Sequence, residues 1–317
     1  MDDQPAVKHE ADPRPAEQDQ AAFQQRMNAA GGDPQMAALR RVQDEIRRLD
    51  LERHVSDLNV LGYTVVPPER VATPEFIGRF RDKVLEVGQR RSGVAPDLET
   101  GNSHTQFNSP FGQMPMYILF EDPLFEQVLM NEVSVALVDY LLGHRSLLSS
   151  SRGFIKARGT EALVLHTDFA GPAPFPTYSS MCNVTWALTD YSKENGSIAV
   201  VPGSHRLGRR PHGDEGVDQR EAIDAPAGSM IIFDGYTWHG AFPRQTDGLR
   251  VAYANLFCRP YLFTLEKYQG KASPEMLARN PKRFSDFMGE YLAWEYDTPD
   301  KDMVKLGETM AAAMSLY

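Results

Sequence analysis

Apolar positions follow two different rhythms along this chain, helical in its first half and strand-like after about Leu147. From Met36 the apolar residues recur at Leu39, Val42, Ile46 and Leu49 with Arg and Glu between them, the period of an amphipathic helix. GYTVVPP then reads as a short strand. Thr73 before Pro74 is a cap and first-turn pair that opens a helix carrying Phe76, Ile77, Phe80, Val84 and Val87. Asp122 and Pro123 repeat the device and predict one helix running to Gly143, where a residue without Cβ suits a left-handed cap. Beyond Leu147 the apolar residues gather in short runs: GFIKA, ALVLH, MCNVTWAL, SIAVV, SMIIF and RVAYANLF, separated by Gly and Pro turns. Short strands at this spacing predict an antiparallel sandwich or barrel. Ser273 with Pro274 starts a further helical segment, broken at Asn280 and Pro281.

The pattern therefore predicts a mainly β protein with flanking helices, a single catalytic domain over residues 35–317 with its β core at about 147–262. Residues 1–34 are poor in aliphatics and end in Gly31, Gly32 and Pro34. Such a stretch buries too little apolar surface to offset the entropy of ordering, and it is read as a disordered arm.

Composition narrows the function classes. The 317 residues carry a formal net charge of -10, the wrong sign for neutralising phosphates, so nucleic acid is not an expected partner. No apolar run approaches the roughly 18–20 residues of a membrane helix. The start MDDQPAVKHEADPRPAEQDQ has neither the basic beginning nor the apolar centre of a secretory signal, and a cytoplasmic location is the default expectation. Cys182 and Cys258 both fall in strand-like runs without zinc-ligand spacing, so no disulfide framework is expected. The amphipathic terminal helices offer a surface for a homodimer contact.

The chemistry gathers at ALVLHTD. In a strand, residues two apart point to the same side, so His166 and Asp168 can aim at one ion. His239 in FDGYTWHGAF follows a turn and a strand, and can arrive on a neighbouring strand as a third ligand. Two imidazoles and one carboxylate leave open coordination positions on an oxygen-activating iron(II). Eleven residues later stands Arg250, whose guanidinium can pair bidentately with the distal carboxylate of 2-oxoglutarate.

HTD, then ALTD followed by ENGSIAVVPGSHR, then His239 with Arg250 eleven residues on, resembles the phytanoyl-CoA dioxygenase family over residues 150–260. The resemblance implies a double-stranded β-helix, a jelly-roll of cupin-like form, and a dioxygenase using Fe(2+), 2-oxoglutarate and O2. Succinate and CO2 would leave as a small-molecule metabolite is hydroxylated, desaturated or similarly oxidised. Carried onto this chain it implies His166, Asp168 and His239 as catalytic metal ligands and Arg250 as the co-substrate anchor. Some members lack the carboxylate and halogenate; Asp168 is present here. Two positions depart from the pattern. Thr185 stands where a Trp is frequent, with Trp186 displaced by one, and Ala241 replaces a Ser that can help bind the carboxylate.

By alternation Asn183 and Thr185 share one face of their strand and Cys182, Val184 and Trp186 the other. If the first face is inward, Asn183 or Thr185 can hydrogen-bond the co-substrate. Arg152, Phe154 and Lys156 alternate on the strand before HTD, and any of them could line a substrate pocket. The stiff loop FAGPAPFPTY, with Phe169, Phe175 and Tyr178, directly follows two ligands and is expected to touch substrate. LGRRPHGDEGVDQRE reads as a mobile insertion that could close over the site or hang in solvent. His205 and Arg206 are expected to satisfy backbone groups of a turn rather than to bind metal. Two competing readings remain: a jelly-roll metal hydrolase, since the same three ligands also suit zinc, and a non-catalytic jelly-roll binding protein with a vestigial metal site.

Overall fold

The computed structural model describes residues 34–104 and 110–290. The arm expected over the first residues lies almost entirely outside that range, as does the end of the predicted catalytic domain after residue 290.

Helix α1 (Pro34–Arg48) is the first predicted amphipathic helix, followed by α2 (Glu52–Leu61) and strand β1 (Tyr63–Val66). Helix α3 (Pro74–Ser92) starts at the Thr73 cap, whose hydroxyl accepts from the Phe76 N–H, and ends at Gly93 in the left-handed region. The single helix expected from Pro123 to Gly143 is instead two, α4 (Pro123–Leu129) and α5 (Glu132–Leu142). The break comes at Asn131, whose side chain accepts from the Ser134 N–H. It caps a new helix, so its backbone turns extended rather than continuing the old one.

The predicted β region holds β2 (Leu147–Lys156), β3 (Leu163–His166), β4 (Met181–Ala187), β5 (Ile198–Val200), β7 (Met230–Asp234), β8 (His239–Ala241) and β9 (Arg250–Cys258). A two-residue strand, β6 (Glu221–Ala222), joins them. They form two antiparallel sheets, in the orders β1-β7-β4-β9-β2 and β3-β8-β5-β6. This is the double-stranded β-helix expected. Two short helices, α6 (Pro274–Arg279) and α7 (Lys282–Phe287), follow, separated at the predicted Asn280 and Pro281.

The larger sheet uses its two faces differently. Cys182, Val184 and Trp186 on β4 and Val251, Tyr253 and Phe257 on β9 pack with the helices in the main hydrophobic core. Phe80 of α3 is the centre of that layer, edge-on to Trp186 at 5.7 Å and to Tyr253 at 5.0 Å between ring centroids. Alternation then turns Asn183, Thr185, Arg250, Ala254 and Leu256 toward the small sheet, where they meet His166 and His239 around one cavity. Helix packing on the outer face thus fixes which residues face the interior.

Candidate metal centre

His166 ends β3 and His239 begins β8, and the ladder register places them directly opposite each other. Their ring centroids are 4.2 Å apart with the planes tilted by 50°. Each ring is steered by its own strand. His166 Nδ1 bonds the Val164 carbonyl at 2.9 Å, and His239 Nδ1 bonds the Thr237 carbonyl at 2.9 Å. A carbonyl can only accept, so Nδ1 carries the proton in both and each Nε2 keeps its lone pair for a cation. Asp168, one alternation beyond His166, places Oδ1 3.8 Å from His239 Nε2. One ligand atom from each of the three lies within 4.8 Å of the others. Burial pushes the His239 imidazole down to about 4 despite the opposing pull of Asp168. The ring is therefore neutral near pH 7, the state a metal ligand requires.

The inward face of β4 supports this cluster. Asn183 Nδ2 donates to Asp168 Oδ2 at 3.4 Å, and Thr185 Oγ1 donates to Asn183 Oδ1 at 2.8 Å. Asn183 is thereby tied to the carboxylate itself, an arrangement that alternation alone did not reveal.

At the far side of the same cavity, Arg250 opens β9, buried to 4% exposure. Its Nη1 donates to the Tyr191 hydroxyl at 2.7 Å, and its guanidinium lies 5.0 Å from the Tyr191 ring centroid. Its cross-strand partner is Lys156, the last residue of β2 and only 1% exposed. Arg250 Nε and Lys156 Nζ both lack a hydrogen-bond partner. Burial foremost, then the positive charge of Arg250 and of Arg244, pushes the Lys156 ammonium down to about 7. Two orphaned cationic donors in a buried pocket fit an anionic guest, because leaving such groups unpaired costs several kcal/mol in proteins.

The cavity, about 150 Å³, is walled by Arg152 and Phe154 as expected, together with Phe111, Leu163 and Leu256. The aromatic loop is a correction. Phe169 and Phe175 do not line this cavity; they pack edge to face at 5.0 Å in a separate cluster with Tyr236 and Met181. Tyr178 faces a different hollow under the Arg259 guanidinium, 4.9 Å from its ring centroid. The reason is that the loop folds back on its own apolar side chains, away from the strand that delivers His166. The charged insertion is packed against the protein. Arg209 pairs with Glu215 and its carbonyl accepts from Trp238 Nε1 at 2.8 Å, which holds the segment against the outer side of β8. None of its residues lines the cavity. His205 and Arg206 both bond the Asn59 carbonyl, the structural role expected of them.

The sequence pattern of the phytanoyl-CoA dioxygenase family matches residues 59–252. The chain belongs to that family. It is accordingly an iron(II)- and 2-oxoglutarate-dependent dioxygenase, which sets aside the hydrolase and the non-catalytic binding protein. Uncharacterized protein Rv1501 of Mycobacterium tuberculosis is 25% identical over 265 residues, spanning 79% of this chain and 93% of its own. Dioxygenase af480 of Aspergillus fumigatus is 28% identical over 171 residues, spanning 53% of this chain and 55% of its own. Among solved structures, HygX from Streptomyces hygroscopicus with nickel and 2-oxoglutarate bound superposes with a TM-score of 0.54 at 15% identity. That superposition covers 71% of this chain and 92% of HygX, and it shows the shared fold. No helix among the described residues is long and apolar enough to cross a membrane.

Tyr191 was not among the residues singled out from sequence. Its only trace there is its place directly after ALTD, with no periodicity to mark it as buried against an arginine far along the chain.

Proposed function

We propose that this family member oxidises a small-molecule metabolite, with His166, Asp168 and His239 holding the iron and Arg250 holding the far carboxylate of 2-oxoglutarate. The single observation that carries the reading is one cavity with the three-ligand cluster on one wall and the buried, incompletely bonded guanidinium of Arg250 on the other. Iron(II) and 2-oxoglutarate, when bound, supply the oxidising power of O2 and release succinate and CO2.

The chain's own residues do the rest. Val164 and Thr237 carbonyls fix the histidine tautomers, so both Nε2 atoms are ready to bind without reorganisation. Asn183 orients the Asp168 carboxylate, and Thr185 orients Asn183. Tyr191 positions the guanidinium of Arg250 by a hydrogen bond and by ring contact. Phe154, Phe111 and Leu256 give the substrate an apolar wall that excludes water, and Arg152 adds a polar contact at its edge. Asp168 fills the third ligand position, which favours hydroxylation or desaturation over halogenation. Separate Asp168→Ala and Arg250→Ala variants are expected to lose substrate-dependent succinate formation. Undiminished turnover in both would overturn the assignment.

A further inference from the structure

Lys156 has no task in the site as described so far, yet its placement is costly. The side chain is 1% exposed, its Nζ has no hydrogen-bond partner, and it lines the same cavity as Arg250. The two are cross-strand partners on β2 and β9, so their side chains leave the sheet on one face. Like charges placed opposite each other repel, and both are removed from water; Tyr191 offsets part of this for Arg250, while the Lys156 ammonium has no polar partner. A bound anion reverses both penalties at once.

Resting on the reading of the site as a 2-oxoglutarate pocket, we propose that Lys156 is a second cationic contact for the far carboxylate that Arg250 holds. The carboxylate then sits between two paired strands, with a directional fork from Arg250 on one side and an ammonium on the other. Lys156 Nζ makes no hydrogen bond to the His–Asp–His cluster or to Asn183 and Thr185, so its replacement breaks no bond that orients the metal ligands. The charged and titratable groups around it are Arg152 on its own strand, Arg250 on β9, Arg244 on the loop after β8 and, lining the same cavity, Tyr191 and the three clustered ligands. Guanidinium groups as a class do not titrate in the working pH range. An ammonium already pushed toward neutrality by burial therefore makes dicarboxylate binding sensitive to alkaline pH.

The test is anaerobic titration of the iron(II)-loaded full chain with 2-oxoglutarate, followed by its charge-transfer absorption and by calorimetry, from pH 6 to about 9. Lys156→Met is expected to weaken 2-oxoglutarate binding by about 10- to 100-fold, the equivalent of one charge-assisted hydrogen bond. Affinity of the unaltered protein should fall as pH rises above neutrality, and that slope should flatten in Lys156→Met. Lys156→Arg, whose charge does not titrate in this range, should flatten it too while retaining most of the affinity. The melting temperature of Lys156→Met without ligand should rise, which a merely structural lysine would not produce. Lys156→Gln, polar and of similar reach, serves for the same titration if the methionine variant does not accumulate. Unchanged affinity and an unchanged pH slope in these variants would overturn the proposal. Failure of the unaltered, iron-loaded protein to bind 2-oxoglutarate at all would instead overturn the reading of the site itself.

Discussion

At the scale of single residues, the site depends on donors and acceptors that are fixed before any ligand arrives. Arg250 shows the point. Its Nη1 is engaged by Tyr191 while Nε has no partner, which leaves a donor for the carboxylate proposed to bind there. A lysine at this position would keep the charge but lose the planar pair of donors. Arg250→Lys is accordingly expected to raise the dissociation constant for 2-oxoglutarate by about tenfold, the value of roughly one lost charged hydrogen bond. Metal affinity, measured in the same titration without co-substrate, should stay as it is. Equal losses of metal and co-substrate binding would show that Arg250 supports the cluster rather than the dicarboxylate. His239 makes the complementary case: its burial disfavours the imidazolium, so protons compete little for the nitrogen near neutral pH.

At the scale of elements, the cluster is a product of strand pairing. His166 and His239 meet because β3 and β8 pair them directly after an irregularity in the ladder between Leu163 and His166, and a slip of one residue would send one imidazole to the opposite face. Gly240 keeps the two strands close. A Cβ there would run into the backbone carbonyl oxygens of Leu163 and Val164, so the residue must be glycine for β3 to approach. Gly240→Ala is therefore expected to push β3 outward and weaken iron(II) binding by about tenfold or more, as disturbance of ligand-orienting contacts commonly does. Iron titration with a circular-dichroism check of the fold would show it, and full metal affinity in a folded variant would refute the argument. The same reasoning applies to β4, where the bulk of Trp186 against Phe80 commits Asn183 and Thr185 to the cavity.

For the whole molecule, helices from before and after the β region pack on the outer face of the large sheet and are joined to each other by charge. Arg283 of α7 donates from Nη2 to Asp139 of α5 at 2.7 Å and from Nη1 to the Ser146 carbonyl at 3.1 Å. Burial alone would raise the Asp139 carboxyl, but Arg283 and His144 outweigh it and hold the group below the ordinary carboxylate range. A folded-state value below the unfolded one means the contribution is present above the unfolded pKa and is lost as pH falls through the folded one. Arg283→Met, which leaves a buried carboxylate without its main partner, should cost about 3–5 kcal/mol in urea denaturation at neutral pH. Acidification should narrow the gap between variant and parent. A variant as stable as the parent at neutral pH would show the clamp to be without energetic consequence.

The division between what sequence carried and what folding decided follows the range of the forces involved. Helix and strand periods, the Thr73 and Ser273 caps, and the same-side placement of His166 and Asp168 are consequences of backbone geometry over a few residues, so they could be read directly. The trio with His239 and the guanidinium of Arg250 was legible because ligand chemistry restricts residue type and order. The break at Asn131 has a local cause as well, since a capping side chain competes with helical continuation and the apolar pattern does not register it. By contrast, the depth of Lys156, its pairing with Arg250, the contact of Tyr191 with that guanidinium, and the inward folding of Phe169 and Phe175 arise between segments distant in the chain. Only the packed sheets bring those groups together, because strand register and the exclusion of water are properties of the assembled interior and leave no period in the sequence.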